Sequence, residues 1–131
     1  MMNAFIFPGQ GSQKVGMGKD LYDNFPIAKE VFQEVDDSLS INLSRIIFEG
    51  EEEELKLTIN TQPALMTVSF AIVRVIEEFI GKNISEVGKF TAGHSLGEYS
   101  ALVSARSIKL KDAAKILRLR GEFMQNAVPL N

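Results

Sequence analysis

Ser95 stands in Gly93-His94-Ser95-Leu96-Gly97, a G-x-S-x-G pentapeptide that follows an apolar run (Val87, Phe90, Ala92) and precedes a helix-forming stretch from Leu96 to Ala105. Strand, sharp turn and helix in that order are the setting of a nucleophile elbow. There the turn lifts a serine hydroxyl clear of the backbone, and the glycines on either side permit the crowded dihedrals. The backbone N–H of Leu96 then points at an oxygen on the serine's target carbon, where negative charge develops. The chemistry implied is acyl transfer through a serine ester. The pentapeptide alone also describes an ordinary tight turn, so its weight comes from the strand before it and the helix after it.

Two further polar residues draw attention by their surroundings. Gln10 lies between Gly9 and Gly11, just beyond the apolar run Ala4 to Phe7. A glutamine is no base, but its amide can donate to an oxyanion where glycines let backbone and ligand approach closely; a plain polar turn fits equally. Arg120 lies in the last helical stretch. On a projection of about 100° per residue, Ala113, Ile116, Leu117, Met124 and Ala127 form an apolar stripe with Arg120 near its centre, whereas Lys111, Lys115, Arg118 and Glu122 project to the opposite side. A guanidinium on a buried face is costly unless an anion pairs with it, because it cannot shed its proton. Three outcomes are open: an ion pair with an acid in the core, snorkelling of the long side chain, or a pocket-facing fork that holds a ligand carboxylate by two parallel hydrogen bonds. His94 is the sole histidine. Adjacent to Ser95 on a tight turn, its side chain is expected to diverge from the hydroxyl, which makes it a structural or pocket-lining residue and not the base.

The elements that must position these groups can be read from the rest of the chain. Its 131 residues, 45% hydrophobic and 24% charged, suit one soluble globular domain with a modest core. With no cysteine there is no disulfide framework, thiolate chemistry or sulfur-based zinc site, and no metal site is expected. No charged N-terminal region followed by an apolar stretch opens the chain and no apolar run has spanning length, so a cytoplasmic setting without membrane contact is expected. A net charge of −3 argues against a nucleic-acid partner. The basic side chains nevertheless concentrate in residues 106–120, as Arg106, Lys109, Lys111, Lys115, Arg118 and Arg120 against Asp112 alone. That is a solvated helix face or a docking surface for phosphates or an acidic protein. Gly9-x-Gly11-x-x-Lys14 lacks the third glycine of a dinucleotide loop, and Gly18-Lys19 lacks the upstream glycine of a phosphate loop.

Ala4 to Phe7 reads as a first buried strand and Val87 to Ala92 as a second. Short helices are expected over Met17 to Tyr22, Ile27 to Val35 and Asn42 to Phe48. Gly50 and the acidic run Glu51 to Glu54 read as a surface connection or solvated helix start. A long helix is expected from Thr61 to Ile80, with Ala64, Val68, Ala71, Val75 and Phe79 at helical spacing and Gly81 as the stop, and a last one from Leu110 to Ala127. Strands separated by helices imply a parallel sheet and hence α/β architecture.

Phe7-Pro8-Gly9-Gln10-Gly11-Ser12-Gln13, Thr61-Gln62-Pro63-Ala64, Gly93-His94-Ser95-Leu96-Gly97-Glu98-Tyr99 and Arg120-Gly121 with Met124, in this order, resemble the motifs of the malonyl-CoA:acyl carrier protein transacylases of fatty acid biosynthesis. The resemblance covers the whole chain. It implies a ping-pong reaction with no cofactor: Ser95 takes a malonyl group from malonyl-CoA, releases coenzyme A, and passes the group to the phosphopantetheine thiol of acyl carrier protein. It also implies that Gln10 and the Leu96 N–H form the oxyanion hole and that Arg120 binds the malonyl carboxylate. Gln62, before Pro63 at a helix start, is a lesser substrate-binding candidate that also fits a cap or turn.

Beyond the elbow the chain departs from the family pattern. The family's catalytic histidine comes from well downstream, whereas this sequence runs 36 residues beyond Ser95. The resemblance therefore implies residues 1–131 as the N-terminal part of an α/β-hydrolase-like large subdomain, a short parallel sheet flanked by helices. On the same resemblance the ferredoxin-like small subdomain is expected to be absent from this sequence, the isolated chain is expected to be poorly active or inactive, and a complementing C-terminal segment is a candidate partner. Two other readings compete. An α/β-hydrolase esterase or thioesterase would share the elbow but leave Gln10 and Arg120 unexplained. A non-catalytic module would bind coenzyme A or acyl carrier protein through the basic segment, indifferent to Ser95.

Overall fold

The computed structural model describes residues 2–128. Strand β1 (Ala4–Phe7) leads into helices α1 (Lys19–Asn24), α2 (Pro26–Leu39), α3 (Leu43–Glu49), α4 (Glu52–Lys56), α5 (Thr58–Ile80) and α6 (Ile84–Val87); strand β2 (Phe90–Gly93) then precedes α7 (Gly97–Ser104) and α8 (Leu110–Ala127). The strands pair in parallel, from Ala4 opposite Phe90 to Phe7 opposite Gly93, so the α/β class is as expected.

Helix α5 is the spine. Residues Asn60 to Ala71 are buried on every side, and the helix packs against α2, α7 and α8. Such all-round burial marks a central helix. On α2 the predicted stripe does the covering: Val31, Phe32 and Val35 are buried and Ile27 is partly so. Pro63 sits inside α5 and carries no N–H for the carbonyl of Ile59 one turn earlier. That carbonyl accepts instead from Arg118 Nη1 at 3.3 Å, and Arg118 also donates to Asn60 Oδ1. Arg118 is thus docked on the start of α5 and not turned to solvent as the projection suggests; burial lowers its pKa from the usual arginine value.

Several boundaries differ from expectation for local reasons. Val87 belongs to α6 and not to the second strand, because Asn83 and Glu86 form a reciprocal capping box that nucleates a helical turn over Ile84–Val87. Glu52, Glu53 and Glu54 occupy the first turn of α4, where acids suit the positive end of a helix. Phe79 is 78% exposed, stacked edge-on against Phe25 at 6.1 Å between ring centroids. The strands are not buried on both sides: Ala4, Ile6, Phe90 and Ala92 share one face and all are exposed, whereas Phe7 on the other face is buried. Along β1 an apolar cavity of about 320 Å³ opens between Phe7, Pro8, Met17, Leu65, Val68 and Ile72.

Candidate active site

The turn after β2 is built by contact. A Cβ on Gly93 would lie 2.0 Å from the carbonyl carbon and oxygen of Gly97, and one on Gly97 would lie 2.4 Å from the carbonyl oxygen of Phe7. Neither position has room for a side chain, so both outer glycines of the pentapeptide are steric requirements. Between them Ser95 adopts φ 52°, a left-handed conformation that costs a non-glycine residue energy and collects at functional turns. Gly97, Glu98 and Tyr99 donate their N–H groups to His94, Ser95 and Leu96, which starts α7. Among the described residues the Leu96 N–H has no acceptor.

The side chain that reaches Ser95 comes from α8. Arg120 Nη2 donates to Ser95 Oγ at 3.2 Å, Nη1 donates to Gln62 Oε1 at 2.6 Å, and the guanidinium lies 5.6 Å from the centroid of the Tyr99 ring. Close helix packing brings it there. At Gly121 a Cβ would come within 2.6 Å of the Thr58 carbonyl oxygen and 2.7 Å of Ile59 Cα, so α8 crosses the start of α5 almost backbone to backbone. Gln125 Oε1 accepts from the Ile59 N–H at 3.4 Å on the same seam. Among the described residues Arg120 forms no ion pair.

The apolar stripe proposed for α8 needs correction. The buried positions are Leu110, Ala113, Ala114, Leu117 and Gly121. Ile116 and Met124 are each 44% exposed and Ala127 is exposed, so the stripe is centred on Gly121 and Arg120 lies half-buried at its edge. Of the alternatives open for this arginine, no core ion pair forms among the described residues, and the fork points at the Ser95 hydroxyl.

Gln10 is near the elbow but turned elsewhere. Its Nε2 donates to the Lys56 carbonyl and Thr58 Oγ1 at 3.5 and 3.4 Å, both long bonds. The loop that carries it touches the turn: a Cβ on Gly9 would lie 2.8 Å from His94 Nδ1, and His94 donates its N–H to the Phe7 carbonyl at 3.2 Å. The His94 side chain is thus packed toward Gly9. Gln62 is 1% exposed and directly supports Arg120; as a residue inside α5 it is neither cap nor turn. Tyr99 is the contributor that sequence reasoning missed. Its position four residues after Ser95, in the first turn of α7, puts it on the elbow's own face. Among the described residues no acidic or histidine cluster could hold a metal ion, and no helix is long and apolar enough to cross a membrane.

Together these groups can do acyl chemistry with an acid-bearing acyl group. A strained serine, a free backbone N–H beside it and an unneutralised guanidinium offer a nucleophile, an oxyanion donor and a carboxylate receptor within one small space. The chain belongs to the acyl transferase domain family, which matches residues 4–131. Within that family its relatives are malonyl CoA-acyl carrier protein transacylases. The enzyme of that name from Bacillus subtilis (strain 168) is 57% identical over 126 residues, covering 96% of this chain and 38% of the relative. The crystal structure of the acyl-carrier-protein-S-malonyltransferase from Bartonella henselae superposes with a TM-score of 0.95 at 57% identity, over 98% of this chain and 41% of that one. A type II PKS acyl-carrier protein in complex with its malonyl-transacylase matches at a TM-score of 0.89 and 48% identity, over 98% and 40%. The chain thus spans about two-fifths of the length of these relatives.

Proposed function

We propose that this chain carries the nucleophile and the acyl-recognition half of a malonyl-CoA:acyl carrier protein transacylase of fatty acid biosynthesis. Ser95 Oγ attacks the thioester carbonyl of malonyl-CoA and gives its proton to a base. The tetrahedral oxyanion takes a hydrogen bond from the Leu96 N–H and a second from the Gln10 amide, whose present long bonds are easily exchanged. Collapse breaks the C–S bond, and the coenzyme A thiolate leaves with the base's proton. The malonyl-Ser95 ester is then attacked by the phosphopantetheine thiol of acyl carrier protein through the same steps in reverse.

The observation that carries this reading is the Arg120 guanidinium, 3.2 Å from Ser95 Oγ and, among the described residues, without a carboxylate of its own. Only a methylene separates the ester carbonyl from the free carboxylate of a malonyl group, so a receptor must sit this close to the nucleophile. An acetyl group would leave the same cation unpaired. A hydrolase reading has no use for that charge.

The base is proposed to come from polypeptide corresponding to the remaining length of the relatives, since the one histidine is turned toward Gly9. The exposed apolar sheet face supports the same view, because parallel sheets are ordinarily covered on both faces. On this reading residues 1–131 are the N-terminal part of an α/β-hydrolase-like large subdomain acting in the cytoplasm. Intact-mass measurement after incubation with malonyl-CoA tests it. The chain alone should gain a malonyl group slowly or not at all, and should become stoichiometrically acylated at Ser95 once the remaining part of the Bacillus subtilis relative is supplied. Arg120→Ala should lower the malonyl-over-acetyl preference by about 10- to 100-fold. Acylation that survives Ser95→Ala, or a preference indifferent to Arg120→Ala, would sink the assignment.

A further inference from the structure

Among the described residues Arg120 is held by neutral groups alone: the Gln62 carbonyl at 2.6 Å, the Ser95 hydroxyl at 3.2 Å and the face of Tyr99 at 5.6 Å. Gln62 is the partner that is both buried and directional, with only 1% of its surface exposed. Its other amide end donates from Nε2 to Met124 Sδ at 3.2 Å. A guanidinium is donor-only, so the carbonyl oxygen must face it, and a flipped amide would set N–H against N–H. The thioether, a weak acceptor, suits the amide NH2 and fixes the same orientation from the other side.

Glutamate has nearly the same shape as glutamine and would hold the fork as well or better by geometry alone. It would also neutralise the fork. A carboxylate at this distance would form a charge-assisted pair with Arg120 and occupy the field that a substrate carboxylate needs. Resting on the transacylase reading, we propose that Gln62 is a specificity-determining positioning residue: its uncharged amide aims the Arg120 fork at Ser95 while leaving the positive charge available to acyl thioesters that end in a carboxylate. The selectivity for a dicarboxylic acyl group then depends on two features together, a cation beside the nucleophile and the neutrality of the group that braces it.

The test is calorimetric titration of the chain with malonyl-CoA and, separately, with acetyl-CoA, comparing the unsubstituted protein with Gln62→Glu and Gln62→Met. The ratio of the two affinities is the readout, because coenzyme A contributes equally to both ligands. The unsubstituted chain should favour malonyl-CoA by about tenfold or more. Gln62→Glu should bring the ratio to about one, through loss of malonyl-CoA affinity. Gln62→Met, which removes the brace without adding charge, should lower it only part of the way. A purely structural role for Gln62 would weaken both ligands in parallel and leave the ratio intact, and that outcome in Gln62→Glu overturns the proposal. If circular dichroism shows Gln62→Glu unfolded, Gln62→Met decides, an unchanged ratio being the overturning result. Equal affinities in the unsubstituted chain would be a different failure, that of carboxylate recognition by Arg120 itself, and would take this inference with it.

Discussion

Two arginine clusters at different places in the fold show opposite uses of the same side chain. Glu77 on α5 is buried, its side chain 4% exposed, and accepts from Arg74 Nη1 at 2.8 Å, from Arg106 and from the N–H of Ile84 at 3.0 Å. Arg106 also lies over the Phe70 ring and donates to the Ser104 carbonyl. In that cluster two guanidiniums share one buried carboxylate inside the protein, and its work is to tie α5, α6 and the α7–α8 connection together. Around Arg120 every partner among the described residues is neutral, so the charge is left unneutralised there. The difference teaches that the identity of an arginine's neighbours, more than its burial, separates a paired charge from an unneutralised one.

The contrast can be broken most severely at the elbow. Gly93→Ala must push the strand away from the Gly97 backbone and should cost about 4 kcal/mol, read as a large drop in the urea midpoint; it removes Ser95 from Arg120 without altering the Glu77 cluster. A loss below about 1 kcal/mol would mean the turn is looser than its contacts indicate. Glu77→Ala attacks the other side. It leaves two guanidiniums without their carboxylate and the Ile84 N–H without an acceptor, for about 2 to 3 kcal/mol after allowance for the one-third exposure of both arginines. The proposed preference for malonyl-CoA, measured by the same calorimetric titration, should be the same in that variant as in the unsubstituted chain if the two clusters are independent. The smallest effect sharpens the comparison by supplying a paired but exposed arginine. Arg45 meets Glu54 at 3.1 Å with half its side chain in solvent, and Arg45→Ala should change stability by about 0.5 kcal/mol or less in the same denaturation measurement.

Much of the site was legible residue by residue. The pentapeptide with a strand before it and a helix after it announced the elbow, because only glycine fits where Gly93 and Gly97 touch other backbone. The span of α8 was readable from its periodicity, and so was the oddity of an arginine among apolar neighbours. The projection still misplaced the buried stripe. An ideal wheel ranks positions by hydrophobicity, whereas the helix chose its face by how closely Gly121 lets it approach α5. The first turn of α6 was hidden for a related reason: Val87 reads as strand by composition, yet a cap a few residues earlier decided its conformation.

What the amino-acid order determined by itself was local: where the chain must turn, which serine stands at the tip of that turn, and that a permanent cation would need a reason to lie where it does. Steric exclusion at glycines and the irremovable charge of arginine act over a few residues and need no fold to be read. The tertiary structure alone decided that Gln62 and Arg120, far apart along the chain, would meet; that the Tyr99 ring would lie under the Arg120 guanidinium; and that Glu77 would satisfy other arginines while this one has no acid among the described residues. Those outcomes depend on how two helices cross, and a crossing is set by surfaces that come together only when the whole core packs.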